Sequence, residues 1–438
     1  MAKNRNHTPN TLPSHIIVQI LYRTPVKSLG RFRCVSKRWY FLISHPKFIR
    51  NHFHFNKLLN THIIFNSIVR NHTDTNICML QYNKPLVSLL RIENKRIGSK
   101  IREWPYELTF DDFSKDMVIA GSVNGVVCLS HDKEFFGSVV ALWNPAVKCS
   151  KLIALRDLRT GFEKWESMSV GLGFDEVGDD YKIFFIVPVV IPPEFEERRW
   201  SRVEIYSAKR GYWRNVEGGQ GVCFPFWPKF SSCNFVVNGV PYWVGFHEGL
   251  EDKEGFDPCK EEILGAFDPH TEVFKKVAYP VLVRNEGTYV HPVNYRDSVA
   301  ALVLSPGQCP NSMVDLYMLD ENSSDWTKIY TIGPFSFKIM SIPQCFRTGE
   351  LVVNKWEENG DWDRNLYYCD PTTNCVFPAT EFDTLIPLWS QSYSYAESLV
   401  GVKGMQLTGN EYKIKKVQAG KKTWTISLPD DFEAVFDL

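Results

Sequence analysis

Residues 12–53, LPSHIIVQILYRTPVKSLGRFRCVSKRWYFLISHPKFIRNHF, constrain the fold more than any other stretch of this chain. Helix signals recur in it at short intervals. Pro13 and Ser14 precede Ile16, Ile17, Ile20 and Leu21, apolar residues at helical spacing. Thr24 followed by Pro25 predicts an N-cap with proline at the first helical position. Val26, Leu29, Phe32 and Val35 then recur every third residue as one narrow apolar stripe. Ser36 is the expected cap of a third segment carrying Trp39, Leu42 and Ile43, and His45-Pro46 is its expected end. Three helices in about 40 residues bury too little apolar surface to be stable alone, so the unit is expected to need a partner.

Charge describes the partner. The chain carries 50 Lys and Arg against 50 Asp and Glu, yet residues 1–103 hold 18 of the basic residues and 3 of the acidic ones. Between Arg23 and Arg50 lie Lys27, Arg31, Arg33, Lys37, Arg38 and Lys47, with no carboxylate among them. A basic arm beside an acidic body attracts an acidic surface, protein or nucleic acid. The competing reading is a solvated helix face. No base-reading motif accompanies the arm, so no nucleic-acid partner is expected.

Several fixed-spacing positions then agree at once. They are Leu12-Pro13, Ile20-Leu21, PVKSL at residues 25–29, CVSKRW at 34–39 and LISHPKF at 42–48. Together they resemble an F-box of the plant type. The resemblance implies a trihelical module that docks on the acidic Skp-type adaptor of a cullin-based ubiquitin ligase. Carried over residue by residue, it implies that Leu12, Pro13, Ile17, Ile20, Leu21, Leu29, Val35, Trp39 and Leu42 face the adaptor. For each of these, simple core packing is the alternative. Ser14 and His15 stand where the family often has an acidic residue.

Beyond residue 103 the pattern changes to short apolar runs broken by turn pairs, with no long helical segment. Asn-Gly occurs inside SVNGVVCLS (122–130) and FVVNGVPYWV (235–244), both expected hairpins. An apolar run ends in Asn-Pro or Asp-Pro at ALWNP (141–145), GAFDP (265–269) and LYYCDP (366–371). VEIYSAKRGYW from Val203 and VDLYMLDENSSDW from Val314 share strand, polar turn and a covering Trp. Such a repeat suits two blades of an irregular β-propeller of six or seven blades. A two-sheet β-sandwich from the same hairpins is the other arrangement the pattern permits. LWNP (142–145), VGLGFDEVGDDYKIFFI (170–186), VEIYS (203–207) and YAESLV (395–400) also resemble the F-box-associated domain of plant F-box proteins, related to the kelch class. That resemblance implies a substrate-recruiting face built from loops.

The expected organisation is α+β and multidomain: a disordered start at 1–11, the F-box at 12–53, and a linker with first strands at 54–103. A mainly antiparallel all-β domain follows at 104–428, then an acidic tail at 429–438. Expected strands include 62–68 and 77–82, and a hairpin at 412–428 is expected to close the ring.

Enzyme signatures are sparse. P-loop, G-x-S-x-G and H-E-x-x-H patterns are absent. DWDRN (361–365) starts like a calcium loop but has Leu366 where Gly is needed and Thr372 where Glu is needed. Asp175, Glu176, Asp179 and Asp180 are expected to form a solvated turn, and His52 and His54 to lie on an amphipathic edge. Eleven unpaired-looking Cys and a start without an apolar signal region suit reduced thiols in cytoplasm or nucleus. No run is long enough to span a membrane. No catalysis, metal or cofactor is expected. The expected partners are the adaptor and, through it, a cullin, plus a protein target. A propeller-type enzyme or ligand-binding module with an incidental basic arm is the reading of another class.

Overall fold

The structure is a computed structural model. It describes residues 12–59, 62–69, 85–93, 96–97, 102–105, 117–131, 139–155, 168–190, 199–216, 223–224, 226–247, 262–278, 288–305, 312–346, 349–355, 366–378, 384–385 and 392–407. The expected strand at 77–82, the hairpin at 412–428 and both chain ends lie outside these residues.

Four helices, not three, open the chain: α1 (Ser14–Tyr22), α2 (Val26–Phe32), α3 (Lys37–Ser44) and α4 (Pro46–Leu59). The fourth was hidden by Pro46. Proline lacks only an N–H that a first-turn residue leaves unbonded anyway, so Pro46 opens α4 as much as it closes α3. His52 and His54 therefore lie on a helix, not on an edge of a sheet. Ser36 caps as expected, accepting from the Trp39 N–H at 3.2 Å. Thr24 does not cap, because its hydroxyl turns back to donate to the Ile20 carbonyl at 3.0 Å. The stripe on α2 breaks for a plain reason: α2 ends at Phe32, and Val35 swings out into solvent.

Among the described residues the named strands pair antiparallel with one another, in six sheets rather than two packed face to face, and one isolated parallel bridge joins Val170 to Ser232. The first holds β1 (His62–Val69), β2 (Pro85–Glu93), β3 (Arg96–Ile97) and β4 (Arg102–Pro105). The second runs β5 (Met117–Val123), β6 (Val126–His131), β7 (Val139–Asn144), β8 (Cys149–Ala154). The third runs β9 (Ser169–Asp175), β10 (Asp180–Val190), β11 (Arg199–Ser207), β12 (Tyr212–Asn215), with β13 (Cys223–Phe224) on β11. The fourth has β14 (Phe226–Pro228), β15 (Phe235–Val237), β16 (Val240–His247), β17 (Glu262–Phe267) and β18 (Phe274–Ala278). The fifth runs β19 (Tyr289–Tyr295), β20 (Ser298–Ser305), β21 (Ser312–Leu319), β22 (Trp326–Phe335), and the sixth β23 (Ile339–Cys345), β24 (Leu351–Lys355), β25 (Leu366–Asp370), β26 (Cys375–Pro378). The chain then returns: β27 (Thr384–Leu385) and β28 (Ser392–Tyr395) pair with β1, and β29 (Gln406–Leu407) pairs with β8. A late strand thus completes the first blade, which ties the ring shut and leaves fewer open edges.

The turns explain the repeat. Asn124-Gly125 joins β5 to β6 and Asn238-Gly239 joins β15 to β16. All four residues have positive φ, as a two-residue primed turn requires. The Asn-Pro and Asp-Pro signals and the VEIYS and VDLYM signals prove to be one element, the end of the third main strand in successive blades. Asn144, Ser207, Asp268, Asp320 and Asp370 occupy it. Four residues later each turn has a left-handed residue: Lys148, Gly211, Glu272, Ser324 and Asn374. The side-chain oxygen at the first position accepts a backbone N–H two or three residues on, as from Ala146 (3.0 Å), Arg210 (3.0 Å), His270 (2.7 Å), Asn322 (2.9 Å) and Thr372 (2.9 Å). Trp213 then covers its hairpin against Tyr206, ring centroids 5.2 Å apart.

The acidic run behaves differently from the expectation. Glu176 and Asp179 are exposed, but Asp175 and Asp180 are buried and bonded. Lys182, two residues on, is also buried. Its ammonium lies 3.3 Å from Asp175 Oδ2, 2.7 Å from Glu272 Oε1 and 2.5 Å from the Pro269 carbonyl. Arg214 bonds the other Glu272 oxygen, and His270 Nδ1 sits 3.0 Å from Asp175 Oδ1. Charges from blades three and four thus neutralise one another across their seam.

Candidate functional site

The helices meet in one small core of Val18, Leu21, Tyr22, Val26, Leu29, Ile43 and Phe48. The propeller completes it. Leu399, from the segment after β28, is buried among these residues, and Ala146 and Val147 of the β7–β8 turn pack alongside. Asn144 holds that segment in place: its Nδ2 donates to the carbonyls of Ser398 (3.1 Å) and Val400 (2.8 Å). Lys57 adds an ion pair to Asp297 at 3.2 Å on the β19–β20 turn. So LWNP and YAESLV, read as separate marks in the sequence, meet at the junction with the helices.

Several apolar side chains of the helical unit remain exposed. Ile20 is 52% exposed and Val35 66%, and Leu12, Pro13, Ile16 and Tyr40 are exposed with them. Ile17, Trp39 and Leu42 are half-buried, and Trp39 meets Phe32 edge-on with centroids 5.4 Å apart. Leu21 and Leu29, at 1% and 0% exposure, lie inside the core. Of the nine residues assigned to the adaptor, these two hold the unit together from within. Ile16 and Tyr40, outside those nine, are exposed as well. Ile16 and Ile20 are four apart and share a face of α1, whereas Val18, Leu21 and Tyr22 line the opposite one. Lys27, Arg31, Lys37 and Arg38 are exposed too, and none of the four helices has an acidic residue in its first turn.

A buried histidine pins α4 to the corner between α1 and α2. His52 Nε2 lies 2.9 Å from the Thr24 carbonyl, and Asn56 Nδ2 donates to the Tyr22 carbonyl at 3.2 Å. Burial lowers the His52 pKa from its ordinary 6.5, against a partial upward pull from that carbonyl. The unfolded chain therefore takes the proton first as pH falls. The contribution of His52 is present above about pH 6.5 and lost below it. Helical melting of the full chain is expected to drop between about pH 7.5 and 5.5, and His52→Gln is expected to flatten that profile. A wild-type profile as flat as that of the variant would contradict the assignment.

Fold and surface together define a class: a small helical unit packed onto a β-propeller that shows six sheets among the described residues. Comparison with known families gives the class its name. Residues 10–51 match the F-box domain and residues 72–402 the F-box associated beta propeller domain. The chain belongs to the plant F-box proteins that carry this propeller. Among curated relatives, F-box protein CPR1 of Arabidopsis thaliana is 27% identical over 76% of this chain and 75% of its own length. The F-box/kelch-repeat protein At3g23880 of the same plant is 26% identical over 74% and 80%. Among solved structures, oligogalacturonate lyase of Vibrio parahaemolyticus overlays with a TM-score of 0.35 at 12% identity, covering 71% of this chain and 78% of that one. A likeness that loose carries nothing about chemistry. Among the described residues, no group of three or more His, Cys, Asp or Glu is placed to hold a metal ion, and no helix is long and apolar enough to cross a membrane.

Proposed function

We propose that this chain is the substrate receptor of an SCF-type ubiquitin ligase, docking on a Skp-type adaptor, and through it a cullin, to present a target protein for ubiquitination. The supporting observation is the exposure of Leu12, Ile16, Ile20, Val35 and Tyr40 on an F-box whose core is buried against the propeller. Exposed apolar residues on helices that carry Lys and Arg and no carboxylate (residues 12–59) suit an acidic partner with an apolar groove. The chain itself performs no chemistry in this reading. It acts by holding the target near the ubiquitin-carrying enzyme.

The target belongs on the opposite end of the propeller. The connections that face α4 are tight: 124–125, 176–179, 238–239 and 296–297. The ends of second and third strands point the other way, and between them in the sequence stand residues 132–138, 191–198, 248–261, 306–311 and 356–365. Their sequences hold 15 Asp and Glu against 5 Lys and Arg, with Phe135, Phe136, Phe195, Phe256, Trp356 and Trp362 among them. Acidic and aromatic side chains together suit a basic target segment.

The test is capture of a purified Skp-type adaptor by the full chain. A stoichiometric complex is expected, and Trp39→Ala should weaken it by about 2 kcal/mol, roughly thirtyfold. A folded chain that forms no complex would overturn the proposal.

A further inference from the structure

A cavity of about 660 Å³ lies between α4 and the tight-turn end of the propeller. Its apolar lining comes from both units: Ile49 and Phe53 on α4, with Val123, Phe174, Val236 and Val400 on the propeller. A space of this size suits an organic ligand, and mixed apolar and polar walls are typical of such sites.

The charges at its edge are not symmetrical. From α4 the lining carries Arg50, His54 and Lys57, one helical face with no carboxylate, and Lys209 and Lys403 add cations from the propeller. Four carboxylates also line it. Asp297 is paired with Lys57, and Asp180 accepts from the Ser207 hydroxyl at 2.5 Å and the Lys209 N–H at 2.7 Å. Glu176 and Asp179 are exposed on the β9–β10 turn, on the propeller side. Arg50 and His54 meet no carboxylate among the described residues.

We infer that this cavity binds an amphiphilic organic anion, its apolar body against Phe53, Val236 and Val400 and its acid group toward Arg50 and His54. A ligand that touches both units stabilises their junction by mass action, so occupancy would set how firmly the F-box is held to the propeller. The inference does not rest on the adaptor reading, because Ile16 and Ile20 take no part in the cavity.

Anilinonaphthalene sulfonate, a fluorescent amphiphilic anion, is the probe, with decanoate as competitor. Titrated into the full chain bound to its adaptor, or into the chain alone if no adaptor binds, the probe is expected to saturate at one equivalent and to raise the melting temperature. Arg50→Glu, at an exposed position, should weaken binding tenfold or more with unchanged melting of the free protein. Val236→Trp, which fills the space, should abolish it. Absence of saturable binding to folded protein would overturn the inference. So would saturable binding that Arg50→Glu leaves unaltered, which also settles the matter should Val236→Trp fail to fold.

Discussion

Ile20→Asp is expected to lower the affinity for a Skp-type adaptor about a hundredfold, with the melting of the free chain nearly unchanged. The second half of that result follows from exposure. The Ile20 side chain is half in water on α1, and surface substitutions of this kind usually stay within about 0.5 kcal/mol. The first half follows from what an adaptor would meet there. An apolar anchor is lost, and a carboxylate is placed against an acidic partner at the contact, where truncations commonly cost about 2 kcal/mol or more before repulsion is added. Leu21→Asp gives no such separation. It puts a carboxylate into the helical core, and loss of binding would then report unfolding. The adaptor affinities and melting curves of the two variants, compared directly, separate interface from scaffold.

Lys182→Ala is expected to cost about 3–5 kcal/mol of stability, the range for removing one partner of a buried charge cluster. The ammonium donates to the Glu272 carboxylate and the Pro269 carbonyl and lies beside Asp175, all at the seam of blades three and four. Without it, Asp175 and Glu272 face each other with Arg214 as the remaining fixed counter-charge and His270 hydrogen-bonded to Asp175. The pH profile gives a second readout. Burial raises the Asp175 carboxyl, but the Gly178 N–H, His270 and Lys182 together bring it below its ordinary 3.8. Its contribution is thus present above about pH 3.9 and lost as pH falls through the folded value. Lys182→Ala should shift that acid loss upward. A denaturant midpoint within error of wild type would refute this assignment.

Much of this architecture can be read directly from the amino acids. Asn-Gly pairs between apolar runs located two hairpins, because only primed turns with two positive φ values match the twist of the strands. The Asn-Pro and Asp-Pro marks fixed the spacing of blades, although their kinship with Ser207 and Asp320 became visible only once the left-handed residue four positions later was known. Composition hid other features. Pro46 serves as stop and start at once, so local rules ended α3 there and left α4 unread. The burial of Asp175 depends on Glu272 and His270, nearly a hundred residues away, and no local pattern carries that. The same holds for Leu399, which looks like an ordinary apolar residue until the ring closes and carries it into the F-box core. On α1, helical spacing grouped Leu21 with Ile16 and Ile20, and only the packed core shows that Leu21 turns inward while the other two stay exposed.

Hydrogen exchange of the full chain with and without adaptor tests the central claim most directly: the exposed apolar residues of the F-box are where the partner sits, and the propeller holds its core. Added protection is expected over residues 12–20 and 35–42, with residues 46–57 and the turns at 124–125 and 238–239 unchanged. Protection confined to the propeller, or none within α1 in a formed complex, would contradict it.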